Sequence, residues 1–325
     1  MTDTLSIARD IVNGRRLLPA EANLLWDSDP IGLFLGADRI REHFKKKKIN
    51  ICNIINAKSG SCPEDCSFCA QSARHGAQVE KYPLADSLKI GEALDSAEKN
   101  RAGCFGIVTS GRRLSESEID RVVEFVSANR GREIKLSASL GEIGEESFIK
   151  LKNGGLKRFH HNIETAESHF PKICRTHTFA DRVKTAKAAK KAGLELCSGG
   201  IFGLGETRAQ RVEFAFTLKE LDADSIPLNF LNPVAGTPLA GAEPLSCEEI
   251  LKSIAVTRYI LPEKDISVCG GREVNLRDLQ SWIFFAGANG MMTGNYLTTP
   301  GRGAAQDLKM ISDLGFTVND NGSCA

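Results

Sequence analysis

The stretch INICNIINAKSGSCPEDCSFC (49–69) decides the fold. Its first half is a β-branched run that reads as a strand, and its second half is a loop carrying Cys62, Cys66 and Cys69. Further along the chain the same strand texture returns at 104–109, 134–140, 157–164, 194–198, 225–230, 265–269 and 290–292. Helical periodicity fills the gaps near 84–101, 115–129, 145–153, 180–192, 206–221, 247–260, 275–286 and 304–314. Ser115, Asp181, Thr207 and Ser246 read as helix starts, while Gly103, Gly131 and Gly193 follow helix ends. Strict alternation implies parallel strands with helices outside. Eight such units over about 270 residues match an α/β fold of the (βα)8 TIM-barrel type, with an open doubly wound sheet as the rival.

Residues 1–48 read as an N-terminal helical extension, from the spacing of Ile7 and Ile11 and of Ile31, Phe34 and Leu35. The run Lys45 to Lys48 that closes it reads as a solvated face. The barrel is expected over 49–316 and a short tail over 317–325.

The 325 residues carry 42 basic against 41 acidic side chains, so no global field would draw nucleic acid or anionic lipid. No apolar window of about 18 residues suggests a membrane span. The first residues lack the apolar core of a secretory signal, so the cytoplasm is the expected location. In that reducing compartment the ten cysteines point to metal ligation, catalysis or core filling rather than to disulfides.

Side chains two apart on a strand share a face. One face of the expected strands carries Cys52, Cys104, Ser137, Ser139, His160, Asn162, Glu164, Cys197, Asn229, Ser267 and Cys269, whereas Phe159 and Ile163 lie on the opposite face. A polar, thiol-rich interior is costly unless something binds it, so the barrel is expected to hold cofactors or substrate.

The CxxxCxxC loop follows the first strand, where a barrel's reactive loops belong. Structural zinc wants a fourth ligand, for which only His75 stands nearby in sequence. Three thiolates suit a four-iron cluster with one iron left open for a substrate.

That loop, with Phe68 before its third cysteine, resembles the signature of the radical S-adenosylmethionine superfamily. The longer stretches NAKSGSCPEDCSFCAQSARH (56–75), HHNIET (160–165), CSGGIFGLGET (197–207), GTPLA (236–240) and AGANGMMTGNYLTTPG (286–301) resemble the biotin synthase family within it. The resemblance implies a 4Fe-4S cluster on Cys62, Cys66 and Cys69 that binds S-adenosylmethionine and releases a 5′-deoxyadenosyl radical. It also implies hydrogen abstraction from dethiobiotin and insertion of sulfur to give biotin. The radical comes from the cofactor, so no side chain is expected to be catalytic itself.

By the same resemblance Phe68 packs near the adenine, Asn162 and Glu164 meet the ribose, Arg182 meets the methionyl carboxylate, and Gly203, Leu204 and Gly205 run beside the adenine. Asn162, Asn229, Thr298, Thr299 and His160 are implied as substrate contacts. The family usually has Asp at Glu164 and often Asn at His160. A homodimer and an electron donor such as flavodoxin or ferredoxin are further implied.

In the best-known members a 2Fe-2S cluster, held by three strand cysteines and an arginine, donates the sulfur. Here Cys104 and Cys197 match two of those cysteines, but Ser137 stands at the third and Ser267 at the arginine. Cys52 and Cys269 fall in phase on the same strand face, so Cys52, Cys104, Cys197 and Cys269 are expected to hold a four-iron auxiliary cluster instead. Core filling is the competing role for Cys52 and Cys269. Cys174, Cys247 and Cys324 have no partner spacing and receive no assignment. Other radical chemistry on the same barrel, or an iron-sulfur carrier, are the competing functions. The polar set Asn229, Thr298 and Thr299 argues against the first, and a carrier needs no polar-lined barrel.

Overall fold

The computed structural model describes residues 3–319. The N-terminal segment holds α1 (Thr4–Val12), α2 (Pro19–Leu24) and α3 (Pro30–Lys45). Strand and helix then alternate through β1 (Lys48–Lys58), α4 (Ser87–Lys99), β2 (Cys104–Thr109), α5 (Glu116–Ala128), β3 (Lys135–Ser139), α6 (Glu145–Gly154) and β4 (Arg158–His160). After α7 (Phe170–Ile173) and α8 (Phe179–Lys191) come β5 (Glu195–Cys197), β6 (Gly200–Phe202), α9 (Arg208–Glu220), β7 (Ser225–Phe230), α10 (Cys247–Ile260) and β8 (Asp265–Val268). The chain continues through α11 (Arg272–Leu276), α12 (Trp282–Phe285), β9 (Gly290–Met292), α13 (Ala304–Asp313) and β10 (Thr317–Val318).

Neighbouring strands pair in parallel, and β9 pairs with both β8 and β1, placing Asn50 against Gly290. The sheet therefore closes, which excludes the open doubly wound alternative. β5 and β6 both pair with β7, Cys197 opposite Ser225 and Gly200 opposite Leu228, and form one interrupted stave. The ring thus has eight staves, one for each strand read from the sequence.

Alternation sorts the side chains. Phe105, Ile107, Leu136, Phe159, Leu196, Ile226 and Ile266 are buried outside the ring, and Phe159 meets Phe148 of α6 edge to face with ring centroids 4.7 Å apart. Burial of each such side chain contributes roughly 1.5–3 kcal/mol. The helices start where short polar side chains cap them: Ser115, Thr178, Thr207 and Ser246 each accept the N–H three residues on. Asp181 is not a cap. It is the return arm of a capping box, its carboxylate accepting the Thr178 N–H.

Four expectations are corrected. The continuous helix over 275–286 is instead α11, a 3-10 turn at Arg277–Leu279 and α12, because Arg277 takes a left-handed φ of 48° that ends the first piece. Ile31 and Leu35 are exposed, while Leu33, Ala37 and Ile40 form the buried stripe of α3, with Phe34 at its margin. Lys45, in the run read as solvated, pairs with Asp265 at 3.0 Å beneath β8. Residues 317–318, read as tail, form β10 and pair with Lys48 and Ile49 of β1. Residues 320–325, with Cys324, lie outside the described residues.

The N-terminal helices are fastened to α10. Tyr259 donates its hydroxyl to Thr4 O at 3.0 Å, and any side chain at Gly36 would collide with that hydroxyl. Among the described residues no helix is long and apolar enough to cross a membrane.

Candidate functional site

The inner faces of the staves enclose a cavity of about 310 Å³. All eleven residues read onto the inward face line it: Cys52, Cys104, Ser137, Ser139, His160, Asn162, Glu164, Cys197, Asn229, Ser267 and Cys269. Register explains why they meet. Cys52 lies opposite Cys104, Gly106 opposite Ser137, Ser137 opposite Arg158, His160 opposite Cys197 and Pro227 opposite Ser267.

The four strand thiols fall into two neighbouring pairs. Cys104 Sγ is 3.6 Å from Ser137 Oγ, and its hydrogen bond with Cys52 lowers its thiol in spite of burial. Cys269 is pushed up by burial and by the neighbouring Cys197. His160 Nδ1 lies 3.3 Å from Cys197 Sγ, and burial with the charges of Arg182 and Arg158 lowers this imidazole to about 4, so it is neutral at pH 7. Arg158, almost fully buried, also lines the cavity and pairs with Glu195 at 2.8 Å. It is in phase with His160, Asn162 and Glu164, so strand alternation alone could have found it.

The three-cysteine loop turns at Gly60 and Ser61, both at positive φ. Gln71 Oε1 accepts the Gly60 N–H, and backbone bonds from Cys62 N to Gln71 O and from Ala73 N to Cys62 O lay Cys62 alongside the segment after Cys69. Cys69 N donates to Cys66 O at 2.9 Å, tightening the turn between the last two cysteines. Burial raises the thiol of Cys62 and pushes Cys69 up to about 11, while the hydrogen bond with Cys174, together with burial, raises that of Cys66. Such thiols ionise only with a cation beside them, and a coordinated metal supplies that charge. Three thiols in one loop beside the cavity, that of Cys66 buried and those of Cys62 and Cys69 half-buried, therefore fit a cluster. His75 offers no fourth ligand to a single zinc ion: among the described residues the one His/Cys group whose ligand atoms lie within 4.8 Å of one another is Cys66, Cys174 and His177.

The loop is held from one side by the segment after α7. Against the upward push of burial, the N–H groups of Arg175 and Thr176 hold the Asp65 carboxyl well below the usual range, at 2.8 and 3.1 Å. Cys174, unassigned from sequence, is buried with its Sγ 3.8 Å from Cys66 Sγ and 3.2 Å from His177 Nδ1. No local spacing could have revealed this, since Cys66 and Cys174 are 108 residues apart. Cys247 instead donates to Asn275 O at 3.2 Å, away from the cavity.

At the mouth, Asn162 accepts the Gly199 N–H at 3.0 Å and donates to Glu164 at 3.3 Å. Glu164 adopts a left-handed φ of 68°, which is uncommon for a side chain of this size. Burial raises its carboxyl, and Arg182 and Asn162 only partly offset that. Arg182 is not among the cavity-lining residues, but its guanidinium reaches Asn162 O at 3.0 Å and Glu164 Oε1 at 3.5 Å. Phe68 and Cys69 line the cavity, whereas Cys62 and Cys66 do not. Gly203, Leu204 and Gly205 also lie off the cavity wall, and Glu206 accepts the N–H groups of Gly203 and Leu204 at 2.9 and 2.8 Å.

Asn229 lines the cavity with its amide spanning two staves, accepting the Gly270 N–H at 2.8 Å and donating to Gly200 O at 3.0 Å. Thr298 and Thr299 reach the cavity from the segment after β9. That segment is held where Tyr296 donates to Glu273 at 2.8 Å and Asn56 donates to Leu297 O at 2.9 Å.

Comparison with known proteins is consistent along the whole chain. Residues 58–218 match the Radical SAM superfamily and residues 227–317 match the Biotin and Thiamin Synthesis associated domain. A biotin synthase of Geobacter sulfurreducens is 54% identical, the alignment covering 96% of this chain and 97% of that one. One from Pelobacter propionicus is 49% identical over 99% of this chain and 98% of its own. Among solved structures, methylornithine synthase superposes with a TM-score of 0.81 at 19% identity, covering 96% of this chain and 97% of that one. The FeFe-hydrogenase maturase HydG from Carboxydothermus hydrogenoformans gives 0.80 at 17% identity, covering 99% and 80%. At such identities the two structures share the fold.

Proposed function

This chain belongs to the biotin synthase family of radical S-adenosylmethionine enzymes, and from that premise we propose that it inserts sulfur into dethiobiotin to give biotin, taking the sulfur from an auxiliary four-iron cluster. The observation that carries this reading is the set Cys52, Cys104, Cys197 and Cys269, four thiols from four staves lining one cavity. When bound, a 4Fe-4S cluster with S-adenosylmethionine supplies the one-electron chemistry that generates a 5′-deoxyadenosyl radical.

Cys62, Cys66 and Cys69 would hold that cluster. Arg182 faces the methionyl carboxylate, a partner that suits its planar fork. Glu164 and Asn162 take the ribose hydroxyls, and Phe68, Gly203, Leu204 and Gly205 flank the adenine. Asn229, Thr298 and Thr299 bind the ureido ring and carboxylate of dethiobiotin, with neutral His160 beside them. The dry outer wall and the strap over 293–302 keep water away from the reacting carbon.

An auxiliary 2Fe-2S site is disfavoured because Ser137 and Ser267 occupy two of the family's ligand positions. The unit boundaries proposed are a helical extension over 1–48 and the barrel over 49–316. Exposed Ile31 and Leu35 on α3 and Trp282 and Phe285 on α12 support a homodimer. We place the enzyme in the cytoplasm, where free thiols persist and a flavodoxin or ferredoxin can supply electrons.

The test is anaerobic incubation with dethiobiotin, S-adenosylmethionine and reductant, using protein reconstituted with heavy-isotope sulfide. Labelled biotin supports the proposal. S-adenosylmethionine cleavage without biotin would overturn it in favour of other radical chemistry.

A further inference from the structure

Glu64, between two of the loop cysteines, is buried, a setting in which carboxylates are seldom found without a partner. Its Oε2 lies 2.5 Å from His177 Nδ1 and accepts the Thr176 hydroxyl at 2.7 Å. On the other side of the same imidazole, Arg182 Nε is 3.0 Å from Nε2. A guanidinium only donates, so Nε2 carries the lone pair and the ring proton sits on Nδ1, where it is donated to Glu64. These neighbours, with Cys174 Sγ 3.2 Å from Nδ1 on the Glu64 side, thus fix the tautomer of His177 and the plane of its ring. Phe170 adds an edge contact to the ring at 5.6 Å and lies 6.0 Å from the Arg182 guanidinium carbon.

Nε of Arg182 is taken up by His177 and Nη1 by Asn162 O and Glu164, which turns the Nη2 end of the fork toward a further acceptor. Free arginine side chains sample many rotamers, and a two-sided hold of this kind selects one. We propose that Glu64 and His177 form a positioning relay that ties the cluster loop to Arg182 and sets its guanidinium for the carboxylate of S-adenosylmethionine. The proposal rests on the reading of Arg182 given above. His177 touches no reacting atom. It acts through Arg182, as outer partners of metal-site ligands act through the ligand they orient.

The test is the dissociation constant for S-adenosylmethionine, measured by equilibrium dialysis on anaerobically reconstituted full-length enzyme, with iron content determined on the same samples. His177→Ala is expected to weaken binding about 10- to 100-fold while iron content stays at the wild-type value. His177→Gln, whose amide oxygen can reach the Nε2 position, should recover more of the affinity than His177→Asn, which keeps only the side facing Glu64. Arg182→Lys should weaken binding by itself, and the double variant should be no worse than Arg182→Lys alone. Additive losses in the double variant would overturn the relay. Loss of iron in His177→Ala would also overturn it, assigning His177 with Cys66 and Cys174, whose ligand atoms lie within 4.8 Å of one another, to holding metal. Unchanged binding in Arg182→Lys would overturn the reading of Arg182 and the relay with it.

Discussion

The two thiol sets of this barrel are built in opposite ways. Cys62, Cys66 and Cys69 share one loop, and their meeting depends on a turn at Gly60 and Ser61 and a few backbone bonds. Cys52, Cys104, Cys197 and Cys269 come from four staves and meet only because every intervening strand keeps its register. Local spacing specifies the first set, strand phase the second. A slip of one residue would turn an interior thiol into the outer wall, where Phe105, Phe159 and Ile266 are wholly buried. The mouth set can be recognised in isolation, while the interior set is legible only once every strand's phase is known.

Substitutions separate the two sets. Cys62→Ala should abolish S-adenosylmethionine cleavage, read as loss of 5′-deoxyadenosine, because the loop offers no substitute ligand. Persistent cleavage would dissolve the distinction at the mouth. Cys269→Ala should leave cleavage intact but stop biotin formation and remove about four irons per chain, the content of one four-iron cluster. If both products survived, the interior thiols would be core filling. Phe159→Ala, on the outer face of a stave whose inner face carries His160, should cost about 3–5 kcal/mol in urea unfolding as the cavity opens against Phe148. A cost below about 1 kcal/mol would mean the outer wall is no drier than the inner one. Asn229→Ala should have the smallest effect, a rise of about tenfold in KM for dethiobiotin with a lesser change in kcat, as loss of one or two hydrogen bonds predicts.

Strand phase also explains what the sequence disclosed. Short apolar or β-branched runs and their alternation were enough to place the eight staves, though not the β6 half of one of them, and to assign the inward residues, all of which line the cavity. Arg158 obeys the same alternation and lines the same cavity. What escaped depended on contacts between distant loops. Cys174 and His177 reach the cluster loop only after α7 folds back on it, and β10 exists only because β1 offers an edge at Lys48 and Ile49. The broken helix at Arg277 turns on one left-handed residue of a type that rarely adopts that conformation.

The central claim is that the interior thiols hold a second four-iron cluster. Iron analysis with Mössbauer spectroscopy on anaerobically reconstituted protein tests it most directly: the account predicts about eight irons per chain, all in four-iron environments. About six irons with a two-iron signature, or about four irons in total, would contradict it.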